Sequence, residues 1–327
     1  MLRHFPKVIY LSFEIVARWR RETHLPAFAW GGFMETRFLQ TLLTVFETSS
    51  LAETARRLNL TPSAVIQRVR ALEQEIGQPL IARAGHAMKP TATGAAIMAE
   101  IRRMIAAESD LKTAASIKLG VGLLRVGVVQ TVLTGLLPEL LITLKTKHPG
   151  LEVYVVPGVS GELYSALQDG TLDLAIMVQP HFMLSKSMHW TLLRDEPLLL
   201  LTPNDLATRD PDRILKTQPF IRYDRNHWGG RIVDLYLRKR KIHPNEQFEI
   251  DALEAIAILV SRGLGVSIVP DWLPPWPEGV KVRKIRLEGA PTRKIGALWS
   301  KASTRLPLIQ TFVSEASSIA GLLPSRK

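Results

Sequence analysis

Three observations predict an α/β fold built in three parts. Two short helix patterns and a hairpin pattern fill Leu51 to Gly94, a proline-free stretch runs from Thr93 to about Ile117, and beyond Gly122 apolar strand patterns alternate with helix patterns. The implied order is an N-terminal winged helix-turn-helix, a long linker helix and a C-terminal α/β domain. Along the 327 residues this gives an extension over 1–33, a winged helix-turn-helix over 34–92, a linker helix and hinge over 93–121, and the last domain over 122–327.

From Glu35 to Thr48 the apolar residues Phe38, Leu39, Leu42, Val45 and Phe46 recur at helical spacing and predict the first helix. Ser50 can cap a second, short helix whose buried face is Leu51, Ala55 and Leu58, with the small Ala55 admitting a close neighbour. Asn59 and Leu60 make the turn. The third helix opens with Thr61 as N-cap and Pro62 at the first helical position, where a missing N–H costs nothing, and it ends near Gly77. Val65, Val69, Leu72 and Ile76 form its core stripe, while Ser63, Ile66, Gln67 and Arg70 share another face. Leu80 to Arg83 and Ala87 to Lys89, joined by Gly85 and His86, read as a small β-wing.

The second face of the third helix has the chemistry of major-groove reading. Gln67 can pair bidentately with adenine, Arg70 can read guanine or clamp phosphate, and a helix start bearing Thr61, Pro62 and Ser63 suits backbone phosphate. Arg83 and Lys89 on the wing are placed to meet phosphate. A polar face of this kind is also what an ordinary solvated helix shows; the turn, the caps and the wing favour double-stranded DNA.

These residues carry a family resemblance. The stretch "LAETARRLNLTPSAVIQRVRALEQEIGQPLIARAGHAMKPTATG" resembles the DNA-binding domain of the LysR-type transcriptional regulators, with the Ser-Ala-Val start of the third helix, Leu72-Glu73, Gly77, Leu80, Arg83 and the segment ending at Gly94 at the family's spacing. Two positions depart from it. Pro62 stands where glutamine is common and Ile66 where serine is common, so a polar contact is replaced by an apolar one that suits a thymine methyl. Met34 falls where such proteins usually begin, which marks residues 1–33 as a flexible extension or an upstream start; the other reading is a basic, tryptophan-bearing arm that touches DNA or a partner. A secretory signal is not expected there, because Glu14 interrupts Val8 to Val16, and Arg18, Arg20 and Arg21 follow.

In the linker helix Ile97, Ile101, Met104 and Leu111 repeat at three, four or seven residues, with Glu108 on the stripe. The resemblance implies pairing of this helix with a second copy, hence a homodimer or homotetramer on a near-palindromic operator; the other reading, favoured by Glu108, is a helix packed against its own chain.

After Gly122 the predicted elements are a strand over Leu124–Val129, a helix over Leu136–Lys147, a strand over Val153–Val156, a helix over Glu162–Gln168 and a strand over Leu172–Met177. Repeated βαβ gives a mostly parallel sheet with ligands at the carboxyl ends of its strands. Those ends carry Gln130 and Thr131, Gly158 to Ser160, and Val178 to Pro180 with Gln179, a set able to hold a carboxylate or other small polar ligand. Thr131 and Ser160 can equally be caps of the helices they precede. A second lobe is predicted from the strand Leu198–Leu201, Phe220–Tyr223, a helix over Leu253–Arg262 and the strand Val266–Val269. "RVGVVQTVLTGLLPELL", "GELYSALQDGTLDLAI" and "LVSRGLGVSIVP" resemble the effector domain of the same family, whose two lobes are built like type 2 periplasmic solute-binding proteins. That likeness implies chain crossings near Pro197 and Leu298, lobe I over 122–197 and 299–327, lobe II over 198–298, and a small effector between them near Thr131, Ser160, Thr202, Tyr223, Asp224 and the loop around Gly263. It also implies RNA polymerase as a partner and a cytoplasmic location.

Composition narrows the alternatives. The chain has no cysteine, so it holds no disulfide, thiolate metal site or thiol switch, and its eight histidines lack zinc-site spacing; no metal and no cofactor are expected. No apolar run approaches the roughly 20 residues of a membrane span. The net charge of +12 lies mostly outside residues 34–94, and the run Arg238 to Lys241 reads as a solvated helix face. There is no nucleophile elbow, phosphate loop or dinucleotide motif, no catalytic residue is assigned, and Asp173 and Asp195 read as surface or capping groups. The competing reading is a solute-binding protein without a regulatory role.

Overall fold

The computed structural model describes residues 34–85, 87–116 and 121–322. The extension 1–33, His86 of the wing turn and Ile117 at the predicted end of the linker helix lie outside the described residues. Two compact units divide between Ala96 and Ile97.

In the first unit, helices α1 (Thr36–Thr48), α2 (Leu51–Arg57) and α3 (Pro62–Ile76) precede a hairpin of β1 (Ile81–Ala84) and β2 (Ala87–Pro90), with Arg83 opposite Met88 and Lys89 opposite Ala82. The ends follow the capping chemistry. Ser50 and Thr61 each accept from a backbone N–H three residues on, Glu53 and Ala64, and α3 closes at Gly77 with φ 75°. Leu39, Leu42, Val45, Ala55, Val65, Val69, Leu72 and Leu80 make the core.

Two polar contributions to this core escaped the apolar pattern. Thr54, fully buried, donates to Ser50 O at 2.8 Å and meets the Thr48 hydroxyl at 2.8 Å, which ties α1 to α2. Glu73 accepts from the N–H groups of Leu80 (2.7 Å) and Ile81 (3.3 Å) and so anchors the wing to the third helix. Thr91 fastens the start of α4 (Ala92–Ser116): its hydroxyl donates to Pro79 O at 2.7 Å and accepts from Gly94 N at 3.0 Å. Along α4 Ile101 is buried, while Met104 and Leu111 are exposed at 47% and 75%.

The second unit holds two lobes. In lobe I, β3 (Gly122–Val128), β4 (Leu151–Pro157) and β5 (Leu174–Val178) are parallel, with β3 in the middle, as the βαβ pattern predicts. Short α5 (Gln130–Gly135), α6 (Leu137–Lys147) and α7 (Ser160–Gln168) connect them; α5 was not separated from α6 in the sequence pattern. The strand β6 (Met188–Pro203) belongs to both lobes. Its first part pairs antiparallel with β11 (Thr292–Ser300), as far as Pro197 opposite Thr292, and its last part pairs with β9 (Ser267–Pro270) and β10 (Val282–Arg286).

Lobe II adds α8 (Pro211–Thr217), β7 (Pro219–Tyr223), α9 (Trp228–Lys239), β8 (Asn245–Ile250) and α10 (Leu253–Ser261), and α11 (Leu306–Leu322) returns to lobe I. Each lobe has its own core, one centred on Leu124, Val126, Ile176 and Phe312, the other on Phe220, Ile221, Val233, Ile256 and Ile268.

Two expectations are corrected here. The chain returns to lobe I just before Thr292, and Leu298, expected at the crossing, lies mid-strand in the lobe I core opposite Ala175 and Trp190. Asp173 is no surface group: its carboxylate accepts from Arg125 N at 2.7 Å and pairs with buried Arg305 at 2.5 Å, and burial pushes its carboxyl above the usual range despite those partners. Asp195 is exposed, as read, and the run Arg238 to Lys241 is solvent-facing, with Arg238 on Asp234 and Arg240 on Asp212.

Candidate functional site

The first candidate surface is the free face of α3. Thr61, Pro62, Ser63, Gln67 and Arg70 are exposed and Ile66 is half-buried, while Val65 and Val69 on the opposite side are buried. The helical period separates the two sets: residues 63, 66, 67 and 70 fall within one face three and four apart. Thr61 has two duties, since its hydroxyl caps Ala64 N and bonds Ser63 Oγ at 2.9 Å. Neighbouring Arg68 is not on this face; its guanidinium reaches Thr41 at 3.2 Å. On the wing Lys89 is exposed, and exposed Arg83 donates to Gly85 O at 3.1 Å, which folds it over the hairpin tip.

The second candidate is a cleft of about 420 Å³ between the lobes, a size suited to a small metabolite. Its lobe I wall is made by the starts of α5 and α7, which follow β3 and β4, so strand ends deliver Gln130, Thr131 and Ser160 into it. Its lobe II wall is Tyr223 at the end of β7, His227 and Trp228 at the start of α9, and Asp251 to Glu254 at the start of α10.

At the floor lies Arg293 on the returning strand. It is 2% exposed, donates to Glu196 at 2.7 Å and to the Thr131 hydroxyl at 3.0 Å, and touches the Tyr223 hydroxyl. One guanidinium therefore ties lobe I, the crossing strands and lobe II together. Burial pushes the Glu196 carboxyl above its usual range, with Arg293 pulling it back, and burial likewise raises the Tyr223 phenol.

Thr131 and Ser160 are not helix caps. Both lie inside the first turn, with Val129 and Val159 in the cap positions, and both are 6% exposed. Thr131 accepts from Arg293, Ser160 accepts from Val178 N at 3.1 Å, and among the described residues neither hydroxyl donates its own proton. Each is left with a hydrogen for something in the cleft.

Four sequence-assigned residues do not line the cavity. β6 enters lobe II at Pro197 and runs away from the cleft, so Thr202 is at the far end, buried opposite Arg283. Gly263 follows the carboxyl end of α10, whereas the opposite end, nine residues earlier, forms the wall. Gln179 is exposed one residue beyond lining Val178, its N–H donating to Lys294 O at 2.9 Å. Asp224, beside Tyr223, is also outside the lining and holds Asn226 in a turn.

The residues missed are Arg293, Glu196, His227, Trp228, Asp251 and Glu254. Trp228 packs edge-on against His181 and Phe182 of lobe I at 5.6 Å, and Tyr164 lies 6.1 Å away. Thr134 of lobe I reaches Glu254 at 3.5 Å. The local signal for His227, Trp228, Asp251 and Glu254 is a helix start following a strand end, as at α5 and α7 of lobe I.

Comparison with known proteins decides the family. The bacterial regulatory helix-turn-helix model of the lysR family matches residues 36–95, and the LysR substrate-binding domain model matches residues 118–318, more than half of the chain. The chain belongs to the LysR family. It is similar to the HTH-type transcriptional regulators YybE of Bacillus subtilis and IlvY of Escherichia coli, each 26% identical over 85% of this chain and 97% of the relative. Its fold is that of CbnR, a LysR family transcriptional regulator, at TM-score 0.66 and 21% identity over 88% of this chain and 99% of that one; CbnR complexed with its target DNA matches at TM-score 0.65.

The protein is thus a LysR-type transcriptional regulator with a DNA-binding and an effector-binding domain, and the reading as a solute-binding protein without a regulatory role is set aside by the match over 36–95. Among the described residues no helix is long and apolar enough to cross a membrane.

Proposed function

We propose that this LysR family member works in the cytoplasm as a homodimer or homotetramer, without catalysis. It reads a near-palindromic operator with Ser63, Ile66, Gln67 and Arg70, and meets backbone phosphate through Thr61, Pro62, Arg83 and Lys89. A small carboxylate-bearing effector between the lobes changes the placement of paired DNA-binding units, and with it DNA bend and access of RNA polymerase. Such a ligand acts only through its difference in affinity for the two arrangements. The exposed Met104 and Leu111 of α4 support pairing through that helix.

The observation that carries the effector reading is the pair of buried hydroxyls, Thr131 and Ser160, with undonated protons at the cleft wall. A hydrogen bond from either to a carboxylate is worth about 1.5–3 kcal/mol, so Thr131→Val and Ser160→Ala should each weaken the effector by roughly 10- to 100-fold. Operator binding without effector should be unchanged. A screen of small carboxylates by thermal melting, followed by operator mobility shift with each hit, makes the test; an undiminished response in both variants rejects the site.

A further inference from the structure

We infer that the cleft selects a zwitterion, an ammonium-bearing carboxylate such as an α-amino acid, over a plain carboxylate. This rests on the effector reading of the same cleft and names the ligand class.

Apart from His227, the single cation lining the cleft among the described residues is Arg293, and it is already engaged by Glu196 on two of its nitrogens. A carboxylate entering the cleft meets no free positive charge. What it meets on the lobe I side is dipolar: the Thr131 and Ser160 hydroxyl protons and the N–H groups of the first turn of α7, which have no partner within the nine-residue helix. The opposite wall carries two carboxylates, Asp251 and Glu254. Asp251 is bonded by the His227 ring on one oxygen, and among the described residues Glu254 accepts only the long hydrogen bond from Thr134.

The carboxylates of the lining are therefore confined to the lobe II wall, beside the helix starts of α9 and α10, while the lobe I wall carries none. A simple carboxylate would be repelled by the lobe II wall. An ammonium group beside the carboxylate converts that repulsion into a charge-assisted hydrogen bond. Between the walls Val129, Val178, Leu253 and Trp228 offer apolar surface to a side chain.

Asp251 and Glu254 also sit at the positive end of α10, where negative charge is favoured whatever the ligand. That structural role gives no preference between an amino acid and its deaminated partner, which is what the experiment reads. Binding to the full chain is measured by calorimetry for L-phenylalanine against 3-phenylpropionate and L-leucine against 4-methylpentanoate. The amino acids should bind at least about tenfold tighter, and in Asp251→Asn with Glu254→Gln that ratio should fall to near one while a cooperative thermal melt shows that the effector-binding domain of the variant is folded.

Deaminated acids that bind as tightly as the amino acids, or a ratio that survives the double substitution, overturn the inference and leave the effector reading standing. Binding of neither set overturns it as well, and the effector reading is then judged by the Thr131→Val and Ser160→Ala operator assays.

Discussion

The helix-turn-helix and the inter-lobe cleft differ in how each is specified. The helix-turn-helix is written locally: Ser50, Thr61, Pro62 and Gly77 set its ends, and a stripe three and four residues apart fills its core. The cleft draws on distant segments, with Thr131 bonded to Arg293 across 162 positions of chain and Glu196 to Arg293 across 97. Local specification leaves a surface whose exposed residues can be exchanged singly without disturbing the core stripe. A site assembled from distant strands depends on one buried charge to hold its parts in register.

That contrast predicts unequal costs. The largest falls at the crossing: Arg293→Met takes the close counter-charge from buried Glu196 and leaves it Arg194 at 3.8 Å, which costs about 3–5 kcal/mol. Burial already holds the Glu196 carboxyl above its usual value, and losing Arg293 drives it further up. A raised folded-state value favours the fold below the unfolded one, and that benefit is lost as pH rises through the folded value, so the deficit should be smaller near about pH 5 than near about pH 8. Denaturant unfolding of the variant at both pH values checks this; a deficit independent of pH would show that Glu196 is not the group left behind.

A smaller effect is expected where the local site is packed most tightly. A Cβ at Gly94 would lie 2.2 Å from the carbonyl oxygen of Leu80, so Gly94→Ala must push the wing from the start of α4, at about 1–3 kcal/mol. Thermal melting and operator binding should both fall. The smallest is the cap: Thr61→Ala removes one hydrogen bond to Ala64 N and should cost about 1 kcal/mol of stability. A cost for Thr61→Ala as large as that for Arg293→Met would erase the distinction between locally and remotely specified sites.

The same distinction explains what the sequence disclosed. The caps of α2 and α3, the α3 faces and the parallel βαβ order are consequences of spacing, and each is found where spacing puts it. The core roles of Thr54 and Glu73 are not legible in the pattern, because a buried threonine and a tethering glutamate look polar until their partners fold against them. Thr202 and Gly263 follow from the family likeness, carried over by position along the chain. Because β6 is one strand running from lobe I, its carboxyl end points away from the cleft, and the helix starts at Trp228 and Leu253 face it instead. Arg293 had no local signature, since only the pairing of β11 with β6 brings it beside Glu196.

The central claim is that α3 presents a DNA-reading face, and mobility shift of the intergenic DNA immediately upstream of this gene tests it most directly. The full chain is compared with Gln67→Ala and Arg70→Ala under nonspecific competitor across a salt series. The account predicts a complex that survives competitor and is weakened by about 1–3 kcal/mol in each variant that loses a base contact. Equal affinity and equal sequence preference for the parent chain and both variants would contradict it.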